Sequence, residues 1–122
     1  MNNFILSIAE AYYATLAEKN VSAIEKYLHP DVKLVSPLAE ESGKIAVLQA
    51  IAQAASLFNT LIIRAKFCYD NQAMLAYDVN FPEPVGNIAS AVLMTFQDNL
   101  ILKIELFYDA RKIQNAWKNP NE

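Results

Sequence analysis

The hydrophobic period of this chain changes once, near residue 60, and that change limits the folds open to it. Upstream, apolar residues recur every three or four positions, the period of a helix with one buried face. Downstream they alternate, the period of a strand. Helical segments followed by consecutive short strands predict an α+β fold, with N-terminal helices packed on an antiparallel meander.

The first helix is expected over 3–19, with Ile5, Ile8, Tyr12 and Leu16 on its buried stripe and Glu10 and Glu18 off it. Tyr12 and Tyr13 are adjacent, so at about 100° per residue only one is expected centrally on that side. Ser22 and Glu25 have capping-box spacing and open a short helix that Pro30 closes, with His29 at its C-terminal end. Val32–Val35 reads as a short strand and 38–43 as a loop. A further helix is expected over 44–58, burying Leu48, Ile51, Ala55 and Phe58.

Four strands are expected at 61–69, 73–81, 88–96 and 100–108. Alternation puts Leu75, Tyr77, Val79 and Phe81 on one face, with Ile63, Ala65 and Phe67 beside them. The same face takes Leu100, Leu102, Ile104, Leu106 and Tyr108. Keeping these together requires an odd number of turn residues, Asp70-Asn71-Gln72 and Gln97-Asp98-Asn99. The opposite face mixes Met74, Ala76, Leu93, Ile101 and Phe107 with charged residues, Arg64, Lys66 and Asp78 among them. A half-apolar second face predicts a homodimer through the sheet.

Composition removes several functions. A length of 122 residues fits one domain. One cysteine, Cys68, allows no internal disulfide, and with one histidine there is no Cys/His zinc set. Lys+Arg number 10 against 13 Asp+Glu, which argues against a nucleic-acid or anionic-membrane partner. Two glycines cannot make a phosphate-cradling loop. No membrane span, signal peptide, metal or organic cofactor is expected, and the lone thiol fits the cytoplasm.

Two blocks carry a family resemblance. The first runs from Tyr12 through Asn20, continues at Ile24 and Tyr27-Leu28-His29-Pro30-Asp31-Val32, and ends at Ser36-Pro37. The second is Ile101 through Asp109, ending Leu106-Phe107-Tyr108-Asp109. Together they resemble the nuclear transport factor 2-like superfamily, which includes ketosteroid isomerase and SnoaL-like polyketide cyclases. The likeness covers about residues 4–110, leaving 110–122 as a polar tail of a single SnoaL-like domain spanning 1–122. It implies a cystatin-like architecture: a cone-shaped curved antiparallel sheet wrapped around N-terminal helices, with an apolar pocket and often a dimer.

The family chemistry transfers only in part. The isomerase tyrosine falls on Tyr12, but its base position falls on Ser36 and its second donor on Met94, neither of which can do that work. The epoxide-hydrolase Arg-x-Asp is absent, and its further Asp position falls on Leu106. Asp109 matches a cyclase acid that has no histidine beside it. The resemblance therefore implies a hydrophobic small-molecule pocket with an incomplete catalytic set. Tyr12, Ser36, Phe58, Leu75 and Tyr77 are expected to line it. Val79, Val92, Met94, Leu106 and Tyr108 complete the lining. The alternatives are an acid/base isomerase, cyclase or lyase acting on a carbonyl compound through Tyr12, Asp109 or Asp78, and an adaptor dimer with a filled cone. Trp117 is expected to anchor the tail over the pocket or across a dimer.

Overall fold

A computed structural model describes residues 3–118 and places three helices and six strands. Helix α1 (Asn3–Ala17) buries Ile5, Ala9, Tyr12, Tyr13 and Leu16. Both adjacent tyrosines are inside, contrary to the expectation that only one would fit. The buried arc of α1 is wider than one stripe, and the two rings meet edge to face with centroids 5.0 Å apart.

Two short 3₁₀ turns (Val21–Ala23 and Glu25–Tyr27) replace the expected second helix. Neither start has a side-chain cap; the Ser22 hydroxyl turns back to Asn20 instead. Pro30 and His29 are therefore not at a helix end but within strand β1 (Leu28–Val35). The pairing of β1 with its neighbour shifts between Leu28 and Lys33, where the missing N–H of proline costs no ladder bond. His29 accepts the Asp31 backbone N–H at Nδ1.

The segment expected as a loop contains strand β2 (Glu40–Ser42), antiparallel to β1. The Ser36 hydroxyl closes the connection by accepting the N–H groups of Leu38 and Ala39. Helix α2 (Lys44–Ala55) buries Val47, Ile51 and Ala55, and Phe58 is buried just beyond its end.

Strands β3 (Thr60–Tyr69), β4 (Gln72–Asn80), β5 (Asn87–Gln97) and β6 (Leu100–Tyr108) form the expected meander. The curved sheet has the order β2-β1-β6-β5-β4-β3, and β1 joins β6 in parallel. Both predicted three-residue turns are two-residue turns, Asp70-Asn71 and Asp98-Asn99. Asp98 and Asn99 both take positive φ (55° and 62°), the twist-compatible form of a tight hairpin turn.

The odd residue sits inside the strands. One bulge lies between Ile63 and Ala65, and the other brings Thr95 opposite Lys103 but Phe96 opposite Ile101. Three expectations change as a result. Phe67 and Ala65 face outward opposite Met74 and Ala76, Lys66 faces inward opposite Leu75, and Ile101 is wholly buried. The inward Lys66 ammonium pairs with Glu10 of α1.

The tail forms helix α3 (Arg111–Lys118). Asp109 caps it by accepting the Arg111 N–H at 3.0 Å and gripping its guanidinium. Ile113 packs with Val85 and Ile88 in a small second core. The side chain of Trp117 lies outside the described residues.

The register makes opposite demands on neighbouring residues. Leu75 is fully buried while Phe67 is 65% exposed. Leu75→Ala should lower stability by about 2–5 kcal/mol in urea denaturation. Phe67→Ala should cost less than about 1 kcal/mol. Equal losses would contradict the bulge at Arg64.

Candidate functional site

Between the sheet, α1 and α2 lies a cavity of about 570 Å³. That is within the usual range for small-molecule sites. Its floor comes from α1 (Tyr12, Tyr13, Leu16) and its side wall from α2 (Ala50, Ile51, Ala54). The sheet supplies Leu34, Tyr77, Val79, Ser90, Leu106 and Tyr108, and Ile113 of α3 reaches the wall as well. Leu38, Ala39, Gln53 and Ala54 line it while being exposed, so the cavity meets solvent between the β1–β2 connection and α2.

The polar groups are ordered by strand pairing. Tyr77 lies opposite Ser90, and Ser90 opposite Tyr108, so three adjacent strands carry one row of hydroxyls across the inner face. The Tyr13 hydroxyl donates to Tyr77 Oη at 3.3 Å. Burial pushes the Tyr77 phenol up to about 12, although the Tyr13 hydrogen bond pulls the other way. Burial likewise holds the Tyr12 and Tyr13 phenols well above the usual range, reinforced by Tyr77. Tyr108 is raised by partial burial, and the Ser36 hydroxyl beside it partly offsets this.

The Tyr12 hydroxyl makes no hydrogen bond among the described residues. No described buried side-chain polar atom that is sealed from solvent lacks a partner, so its hydroxyl opens on the cavity. A neutral phenol placed this way offers a donor and an acceptor to whatever enters.

Of the residues expected to line a pocket, Tyr12, Ser36, Phe58 and Tyr77 are on the wall, as are Val79, Leu106 and Tyr108. Leu75, Val92 and Met94 are not: each is fully buried in the closed core. The acid candidates are elsewhere. Asp109 is on the surface, and the Arg111 guanidinium holds its carboxyl far below the usual carboxylate range. Asp78 faces outward opposite Ala89 and pairs with Arg64 at 3.4 Å. Among the described residues no three His, Cys, Asp or Glu side chains are grouped as metal ligands.

Sequence reasoning missed Glu41. It stands opposite Leu34, so it shares the inner face and lines the cavity beside the mouth. The available signal was Ser36-Pro37, a turn that makes 40–42 a returning strand. Ser90 was missed because its run was read only for apolar residues.

No protein-family model matches the chain, and no curated protein matches it by sequence. Solved structures do match in shape. A nuclear transport factor 2-like protein of unknown function from Cytophaga hutchinsonii superposes with TM-score 0.76 at 19% identity, over 87% of this chain and 90% of that one. A steroid delta-isomerase from Pseudomonas aeruginosa gives 0.77 at 14%, over 95% and 93%. A de novo designed protein with a curved β-sheet gives 0.83 at 21%, over 97% and 98%. The helix order, the curved mixed sheet and these superpositions agree: the chain has the nuclear transport factor 2-like fold.

Proposed function

We propose that this chain is a small-molecule-binding domain that takes an apolar ligand into the cavity over Tyr12. The observation that carries this reading is a cavity of about 570 Å³ with a mouth to solvent and one row of inward hydroxyls. Apolar walls supply burial, and the few convergent hydroxyls supply orientation. The filled-cone adaptor is disfavoured by that volume. Acid/base turnover through Asp109 or Asp78 is disfavoured by their arginine partners and outward positions.

The reading extends to assembly. Phe67, Met74 and Leu93 form one outward row, and Ala65, Ala76, Ala91 and Phe107 form the next. An exposed apolar surface of that kind suits a second copy of the chain. A single cysteine, Cys68, which can form no internal disulfide, suits a reducing cytoplasm.

N-phenyl-1-naphthylamine, a neutral fluorophore, should bind with one site per chain. Ala54 is exposed at the mouth, so Ala54→Trp should weaken binding by at least about tenfold, or ~1.4 kcal/mol. Its Tm should stay within about 4 °C of the parent. Undiminished binding in that variant would place the probe elsewhere and reject the cavity as the site.

The phenols also set a pH dependence. Their folded pKa values lie above the ordinary tyrosine value, so the stabilisation is complete below about pH 10 and is lost as pH rises toward the folded values. Stability should be flat to about pH 9.5, then fall by about 1.4 kcal/mol per pH unit for each buried phenol. Tyr77→Phe should remove one phenol's share of that slope in urea titrations run at stepped pH. An unchanged slope would show that Tyr77 is not held protonated by the fold.

A further inference from the structure

The charges on the cavity wall are unbalanced. Among the described residues that line it, Glu41 is the one charged side chain; no described lysine, arginine or histidine joins it. It is half-buried on the edge strand, and its side chain makes no ion pair or hydrogen bond among the described residues. Glu10, Glu25, Asp78, Glu105 and Asp109 each hold a cation; Glu18, Asp31, Glu40, Asp70, Glu83 and Asp98 hold none among the described residues, but all six are exposed and none lines the cavity. Lys19 lies over the Phe58 ring at 4.8 Å and donates its ammonium to the Phe58 carbonyl, and Lys44, three residues from Glu41, pairs with Glu25.

We propose that the cavity selects an apolar amine, cationic at neutral pH, with its ammonium at Glu41 and its apolar body over the tyrosine floor. This rests on the reading of the cavity as a ligand site. A partly desolvated carboxylate without a partner is an unused charge-assisted acceptor. An ammonium seated there exchanges its water for a carboxylate at the wet end of the site. An anion finds no counter-charge among the described lining residues and meets Glu41 at the mouth. The rings add to the preference. Tyr12, Tyr13, Phe58, Tyr77, Phe81 and Tyr108 all contribute to the lining, and aromatic faces attract cations. Phe58 does so within this chain, under Lys19. The row of hydroxyls discriminates less, because a hydroxyl donates or accepts as required.

Three probes of one shape separate charge from shape: 2-naphthylmethylamine, 2-naphthalenemethanol and 2-naphthoate. Isothermal titration at pH 7 should find the amine at least about tenfold tighter than the alcohol, and naphthoate weakest of the three. Glu41→Gln should abolish the amine's advantage, bringing its affinity to that of the alcohol. Glu41→Lys should reverse the order, favouring naphthoate. If the alcohol binds the parent as tightly as the amine, the charge preference is wrong while the cavity stands as a site. If the preference survives in Glu41→Gln, Glu41 is not its source. If none of the probes binds, the ligand site and its selectivity fall together.

Discussion

Everything on the inner face depends on a parity constraint. A strand alternates its side chains, so tight turns and a continuous apolar face are compatible only if each hairpin closes with the correct count of residues. Here the two tight turns leave both hairpins one residue out of step, and bulges in β3 and β6 absorb the difference. Without the irregularity between Thr95 and Phe96, Lys103 and Glu105 would turn toward the core, and Ile104, Leu106 and Tyr108 away from it. Burying two charges in that way costs several kcal/mol. The bulge therefore also places Tyr108 beside Ser90 and completes the row of hydroxyls. The site exists because of how the sheet solves its register.

The cavity has an equally local origin. The α2 residues aimed at it include Ala50 and Ala54, and the sheet residue at the centre of the hydroxyl row is Ser90. Small side chains on facing elements leave volume that an ordinary core would fill. At the other end Leu75, Val92 and Met94 close the structure completely. One sheet face thus holds a dense core under α1 and an open chamber beside it. The tyrosines stand at the boundary. Their rings take part in the packing, while the Tyr12 hydroxyl reaches the chamber and the Tyr13 hydroxyl is satisfied by Tyr77.

The period change near residue 60 was enough to read the element order, and the four meander strands fall within a residue or two of their expected bounds. The faces were legible only where alternation was clean. Leu75, Tyr77 and Val79 alternate with Ala76 and Asp78, and their inward placement follows. In β3 the bulge falls at Arg64, just after the apolar run Leu61-Ile62-Ile63, and in β6 it falls in the apolar run Leu100-Ile101-Leu102, where either parity buries something suitable. Pattern alone could not place the slip there, so Phe67, Lys66 and Ile101 came out on the wrong faces. The pocket followed the same division. Tyr12, Tyr77 and Tyr108 were legible, whereas Glu41 depended on a hairpin, and α3 on a cap made by Asp109, that local composition does not announce.

Fold and function separate here. The same architecture accommodates a steroid delta-isomerase and a designed protein, so shape alone does not select a chemistry. What distinguishes one such chain from another is what its inner face presents to the chamber. Among the described residues, the inward positions carry phenols held neutral by burial, one serine between two of them, and one carboxylate near the opening. Neutral donors deep inside and a negative charge at the rim make a polarity gradient along the chamber. A ligand entering from solvent meets the charge first and the phenols last. On the proposed reading, the two ends therefore place separate demands on a ligand: charge sorts at the mouth, and shape and hydrogen bonding sort at the floor.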